Sequence, residues 1–310
     1  MVEGIKFYWE VLRDSFKEWS NSSASSDSTS MAYYAIFSIP GLLIIIIWLA
    51  GYFFGAEAIQ GEINHQIAGV MGPEAAKSIE EMIAGSLIDK QSLIMKIIGI
   101  ASLVFGATTL FFQLQKSLDE LWDVQPAPKK AFVKFLLDRA NSLGMILIIG
   151  FLMMSSMLLT SLISLLNNYI TYQFGFETYQ LMELVNFGLG FIMVVVLFAL
   201  MFKVLPDVNI AWRSVWTGAF LTAVLFTIGK FLMSLYFSNF KPTSSYGAAG
   251  TVILIMMWIN YSCTLIFFGA IFTKVYSYKK GYSIKPSAHA KWSSSKLYND
   301  LQREKEQENS

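Results

Sequence analysis

The chain has 310 residues, of which 55% are hydrophobic and only 15% are charged. A soluble domain carries about 25% charged residues, so this composition excludes an ordinary soluble protein and favours a membrane protein. The formal net charge of +1 gives no general attraction to nucleic acid, and the single cysteine, Cys263, excludes an intramolecular disulfide framework.

The N-terminal segment, residues 1–30, is predicted to form an amphipathic helix followed by a serine-rich linker. Apolar side chains recur at helical spacing within residues 4–19 and make one stripe, formed by Ile5, Tyr8, Leu12, Phe16 and Trp19. Two interpretations stay open: the stripe lies on the membrane surface, or it packs on the ends of the spanning helices. Residues 20–30 contain no core-forming side chain, so we interpret them as the linker.

Residues 31–276 are predicted to form an all-α, polytopic membrane bundle of six transmembrane helices. Each apolar run has about the twenty residues that a helix needs to cross a ~30 Å hydrocarbon core. Pro40 and Gly41 predict a kink in the first run, because proline removes one backbone hydrogen bond and clashes one turn earlier. The runs lie at 31–54, 93–113, 143–166, 184–204, 214–237 and 247–276.

The connection between the first two runs, residues 56–92, is predicted to contain two short extracytoplasmic helices. Gly72 and Pro73 interrupt the chain, and proline suits the first position of a helix. An apolar face follows, formed by Ala75, Ile79, Met82 and Ile83. This segment is either a lid over an outer opening or a cap that packs on the bundle. Residues 277–310 are polar and charged, and we predict a disordered cytoplasmic tail.

The distribution of lysine and arginine predicts the orientation of the bundle. Eighteen of the 23 basic residues fall in the N-terminal segment, the second and fourth connections and the tail, which alternate onto one side of the membrane. Cytoplasmic segments carry the excess of basic residues, so both termini are predicted to be cytoplasmic. We therefore expect a multi-pass protein of the bacterial inner membrane.

Polar residues within or beside the runs are the candidates for a substrate site or pathway. Lys230 is the main candidate, because ionisable residues inside a membrane are costly and often functional, although its side chain is near enough to one end to snorkel. Glu183 is its expected partner. We expect the remaining polar candidates either to form hydrogen bonds between helices or to line a pathway. These candidates are Tyr33, Tyr34, Gln113, Asn186 and Asn260.

No metal, cofactor or nucleophile motif is found in the sequence. The two histidines, His65 and His289, fall on opposite sides of the predicted membrane and cannot share a metal. Four acidic residues in and after the second run could serve a metal-dependent nuclease, but they alternate with lysines and we interpret them as an ordinary solvated helix face; they are Asp119, Glu120, Asp123 and Asp138. The sequence thus predicts no cofactor and no enzyme activity.

Several local patterns together resemble the YihY/BrkB virulence-factor family. The resemblance covers residues 25–280 and rests on Met31–Pro40, Phe112–Trp122, Leu205–Asp207, Gly229–Lys230 with Tyr236–Phe240, and Tyr246–Gly250. It implies a six-helix bacterial inner-membrane protein, and members of the family carry the labels virulence factor and ribonuclease BN.

Three functions follow as hypotheses. A transporter or export protein for an amphiphilic, lipid-related or small molecule fits six spans, an intramembrane lysine and the lack of catalytic clusters. A scaffold for envelope assembly is the alternative, and a membrane-bound ribonuclease that processes tRNA is the least favoured. The expected partners are membrane lipids and an amphiphilic substrate, and no nucleic acid.

Overall fold

The computed structural model describes residues 2–71, 73–85, 93–127, 135–152, 179–240, 248–294 and 296–297, with isolated residues at 132, 155 and 165. Within these residues the chain forms nine helices and four short strands. The helices are α1 (Val2–Asn21), α2 (Ala24–Phe54), α3 (Ala56–Met71), α4 (Pro73–Gly85), α5 (Leu93–Leu121), α6 (Phe135–Leu152), α7 (Tyr179–Val204), α8 (Trp212–Phe240) and α9 (Ala248–Lys279). The strands are β1 (Val124–Pro126), β2 (Val208–Asn209), β3 (Lys285–Pro286) and β4 (Ala290–Trp292).

The prediction of an all-α membrane bundle is confirmed. Five described helices are long and apolar enough to cross a membrane, in α2, α6, α7, α8 and α9. The second predicted run lies in α5, where the side chains of residues 93–100 lie outside the described residues, so the count of six spans stays a prediction. The third predicted run began at 143, whereas α6 is already helical from Phe135.

Helix α2 begins earlier than the sequence predicted, because most of the serine-rich linker is helical. The helix includes residues 24–30, and Ser28 is buried, with its hydroxyl donating to the Ala24 carbonyl at 2.6 Å. Serine side chains that bond back to the previous turn need no solvent, and so the segment joins the helix. Pro40 lies inside α2, and the kink predicted at Pro40 and Gly41 stays a prediction.

Helices α8 and α9 pack closely through small residues. A side chain at Gly218 would meet Thr273, one at Gly269 would meet Thr222, and one at Gly229 would meet Tyr261. These three contacts define an antiparallel register, in which residues near the start of α8 face residues near the end of α9. Helix α8 also packs on α7, and α9 packs on α2, which in turn contacts α5.

Helices α3 and α4 cover one end of the bundle. Helix α3 ends at Met71, and Pro73 is the first residue of α4, as predicted. Ala75 is buried and packs against Phe237 at the end of α8 and Leu254 near the start of α9. This packing favours the cap over the lid.

The opposite end of the bundle, which we call the terminal face, gathers α1, residues 119–127, residues 204–213 and residues 274–297. Strand β1 pairs with β4, and β2 pairs with β3, both antiparallel. The described part of the tail therefore contains β3 and β4, two strands that the sequence analysis did not predict. The reason is that its strands pair with β1 and β2, which follow α5 and α7, and pairing across such distances in the sequence leaves no local pattern.

Candidate functional site

Helix α1 packs against the end of α9 with a face whose centre, Val11 and Ser15, lies beside the predicted stripe and not on it. Val11 and Ser15 are buried, whereas Tyr8 and Phe16 of the stripe are exposed. The small side chains let the two helices approach, and the larger aromatic rings remain at the sides. Phe7 and Tyr8 contact the Tyr276 ring at 5.9 and 6.2 Å between centroids. One face of α1 thus packs on the bundle, and the interpretation that its exposed aromatic rings lie on the membrane surface stays a prediction.

A buried lysine joins α1, α5 and α9 at the terminal face. The Nζ atom of Lys274 lies 2.7 Å from Glu18 Oε1 and 2.6 Å from Asp123 Oδ2, and it donates to the Leu121 carbonyl at 2.9 Å. The lysine side chain is 8% exposed, and the two carboxylate side chains are 37% and 38% exposed. The cation is therefore shielded from water while its counter-charges remain partly hydrated.

The end of α5 is shaped to present these acceptors. The last carbonyls of a helix have no partner within it and attract cations. Asp123 has a φ of 56°, a left-handed conformation that aspartate tolerates better than most residues, and it turns the chain out of the helix. This turn leaves the Leu121 carbonyl and the Asp123 carboxylate on the same side, where Lys274 contacts both.

Two of the acidic residues considered for nuclease chemistry do not lie on a solvated face, so that interpretation is wrong for them. Asp119 and Asp138 are buried. The backbone N–H of Asp207 donates to Asp119 Oδ1 at 2.6 Å, and Gln115 donates to Asp138 Oδ1 at 3.3 Å. Buried carboxylates with such partners hold the turn at 205–207 and the start of α6 in place.

Arg139 is also a part of the bundle and not of a connection. Its guanidinium donates to Thr108 at 2.8 Å and lies 4.6 Å from the centre of the Phe105 ring. The rings of Phe112 and Phe135 lie within 5.4 Å. Aromatic faces and a hydroxyl thus take the place of water around this cation.

A second lysine of α9 holds α1 from the surface. Lys279 Nζ lies 2.6 Å from Asp14 Oδ2 and 3.7 Å from Glu10 Oε2. The hydrogen bonds from Lys279 and Arg13 hold the pKa of the Asp14 carboxyl below its usual value. Because the Lys279 side chain is 27% exposed, against 8% for Lys274, this ion pair is expected to contribute less to stability than the shielded Lys274 cluster.

An apolar groove of about 600 Å³ lies between α1, α8 and α9. Its walls are formed by eight residues, which are Tyr8, Leu12, Trp216, Thr217, Phe220, Leu221, Val224 and Phe272. Tyr8, Trp216 and Phe220 are themselves exposed, so the groove is open on the outer surface of the bundle. Its volume lies in the range of small-molecule sites, and its lining is suited to an apolar chain.

The structure does not bring Lys230 into this groove. Lys230 is exposed on α8, while its neighbour Gly229 is buried against Tyr261. The side chain of Glu183, its expected partner, lies outside the described residues. The prediction that Lys230 lines a polar pathway thus stays a prediction.

The remaining predicted site residues are spread over several helices. Tyr33 and Tyr34 are exposed on α2, Asn186 is exposed on α7, and Gln113 is half-buried on α5. Asn260 donates to Thr29 at 3.1 Å and so joins α9 to α2, the helix-to-helix role that the sequence allowed.

Comparison with known proteins identifies the family. The sequence model described as Virulence factor BrkB matches residues 15–293. The chain belongs to the BrkB virulence-factor family. The relatives of this BrkB-family protein include a UPF0761 membrane protein of Psychromonas ingrahamii, 23% identical over 87% of this chain and 88% of the relative. A UPF0761 membrane protein of Pseudoalteromonas atlantica is 26% identical over 79% of this chain and 78% of the relative. No solved structure matches.

Sequence reasoning missed the residues that organise the terminal face of this BrkB-family protein. Lys274 lies inside the sixth apolar run, which ends at 276, but it was counted among the basic residues of the tail. A lysine within an apolar run was the signal that could have identified it. No pattern in the sequence indicated the groove, because its walls come from three helices. Across the described residues, no group of three or more His, Cys, Asp or Glu side chains is placed to hold a metal ion.

Proposed function

We propose that this protein moves an amphiphilic, lipid-related molecule out of the leaflet next to the terminal face. The observation that carries the proposal is the apolar groove between α1, α8 and α9. An apolar chain of an amphiphile can enter such a groove from the bilayer without crossing water. The charge distribution of the sequence predicts that this leaflet is the cytoplasmic one.

The construction of the groove supports movement more than a passive role. One wall is α1, which does not belong to the five helices that could span a membrane. Helix α1 is held by ion pairs at Lys274 and Lys279, in addition to its ring contacts. Ion pairs can exchange partners, so α1 is the wall best suited to shift when a chain enters or leaves.

A reconstitution experiment tests the proposal. Purified protein is placed in liposomes that contain a fluorescent phospholipid, and an impermeant quencher reports how fast the probe changes leaflets. Val224→Trp fills the groove and is expected to reduce this rate to that of protein-free liposomes. Leu232→Trp, on an exposed part of α8 outside the groove, is the matched control and is expected to keep the wild-type rate.

Two outcomes contradict the proposal. The first is a wild-type rate in the Val224→Trp protein at equal incorporation. The second is a wild-type protein that restores a deletion strain but leaves all lipid probes in place, which would favour the scaffold.

A further inference from the structure

We propose that the groove holds an acyl chain of an anionic phospholipid, with the phosphate between Arg213 of α8 and Lys280, the first residue after α9. The inference deepens the proposed function and rests on it for its biological meaning. Its physical basis is the combination of an apolar groove with two cations at one end of it.

The register of α8 and α9 places the two cations at the same level. Gly218 faces Thr273, and the helices are antiparallel. Five residues further toward the terminal face, Arg213 is therefore level with Tyr278, two residues before Lys280. Both cations thus lie at the end of the groove nearest the terminal face.

Each cation also lies in line with a wall of the groove. Arg213 precedes Thr217 and Phe220 by four and seven residues, a spacing that shares one helix face, and the Thr217 hydroxyl donates to the Arg213 carbonyl at 2.8 Å. Lys280 follows Phe272 and Tyr276 by eight and four residues. Its Nζ lies 4.3 Å from the centre of the Phe7 ring, next to the Tyr8 wall.

Within the described residues, neither cation has a carboxylate partner. The neighbouring cations of the terminal face differ, because Lys274 and Lys279 are paired with acids and Arg13 is paired with Asp14. Two acids of α1, Glu10 and Asp14, are paired with Lys279. The end of the groove therefore carries uncompensated positive charge, which complements a phosphate.

The dimensions and the aromatic residues fit a lipid at one leaflet. From Trp216 to Val224 the groove follows α8 for about 12 Å at 1.5 Å per residue, close to half of a ~30 Å hydrocarbon core. Trp212 and Trp216 stack at 6.2 Å and are exposed beside the cations. Tryptophan at this position is typical of the boundary between acyl chains and headgroups.

Native mass spectrometry of the full chain in detergent tests the inference, with phosphatidylglycerol and phosphatidylcholine as the probes. The wild-type protein is expected to retain phosphatidylglycerol preferentially. Arg213→Gln and Lys280→Gln are each expected to weaken phosphatidylglycerol binding about fivefold and to leave phosphatidylcholine binding unchanged. Lys291→Gln, an exposed lysine of β4, is the matched control and is expected to behave as wild type. Val224→Trp is expected to weaken the binding of both lipids.

The opposing results are equally specific. Wild-type lipid preference in both cation variants would overturn the headgroup assignment. Full occupancy in Val224→Trp would mean that the lipid lies outside the groove, and displacement by millimolar inorganic phosphate would mean that the site binds a free anion. Binding is measured without transport, so a bound lipid that never changes leaflets contradicts only the proposed function, whereas transport without headgroup preference contradicts only this inference.

Discussion

Lys274→Met is the substitution that probes the terminal face most directly. It keeps the length of the side chain but removes three interactions, with Glu18, Asp123 and the Leu121 carbonyl. Removal of one partner from a fully buried ion pair costs about 3–5 kcal/mol. The two carboxylates left behind are more than a third exposed and regain water, so we expect a smaller loss of about 2–3 kcal/mol.

Thermal unfolding of the detergent-solubilised protein measures this loss. At about 2 °C per kcal/mol, the apparent Tm is expected to fall by roughly 4–6 °C. Lys279→Met is the matched control on the same helix. The Lys279 side chain is itself in contact with water, so this substitution is expected to lower the Tm by less than Lys274→Met does.

A double substitution separates charge from packing. Asp123→Asn removes a counter-charge and keeps a residue type that tolerates the φ of 56°. Combined with Lys274→Met, it is expected to recover part of the lost stability, because fewer uncompensated charges remain. An equal Tm loss in Lys279→Met, or an unchanged Tm in Lys274→Met, would refute the argument that shielding from water makes Lys274 the stronger contact.

Three further predictions follow from the fold and the sequence. Gly269→Val is expected to destabilise the α8–α9 packing by about 1–3 kcal/mol, because the added atoms meet Thr222 and Phe202; Gly188→Ala, which has open space, should change the Tm little. In intact cells, cysteine probes at Glu74 and Lys241 are expected to react with an impermeant reagent, whereas probes at Lys129 and Ser294 are expected not to react. The reverse pattern would show that the predicted orientation is inverted. Purified protein is expected not to cleave RNA, since Asp119 is engaged by the 205–207 turn; metal-dependent cleavage that Asp119→Ala abolishes would contradict this.

The sequence predicted the features that depend on local patterns. Apolar runs marked the spanning helices, and the Gly72–Pro73 break marked the boundary of α3 and α4, because bilayer thickness and proline geometry act on neighbouring residues. The family followed from motifs spread along the chain.

Features that depend on partners distant in the sequence were not predictable. The sequence predicted that α1 is a helix with an apolar stripe. It did not predict which face is buried, because this depends on the shape of α9, and the small residues Val11 and Ser15 fit that shape best. Lys274 and Lys279 look alike in sequence, and the burial of the first depends on how α1 and the end of α5 pack around it. Lys230 drew attention because of its cost in a membrane, yet it lies on the outer surface of α8.

The pairing of the tail with earlier segments has a consequence for the synthesis of the protein. Val124 pairs with Trp292 and Val208 pairs with Pro286, so β1 and β2 leave the ribosome long before their partners exist. At about 5–20 residues per second, β1 waits roughly ten to thirty seconds for β4. The spanning helices therefore insert with the terminal face unfinished, and β3 and β4 complete it only after the last of these helices has been made.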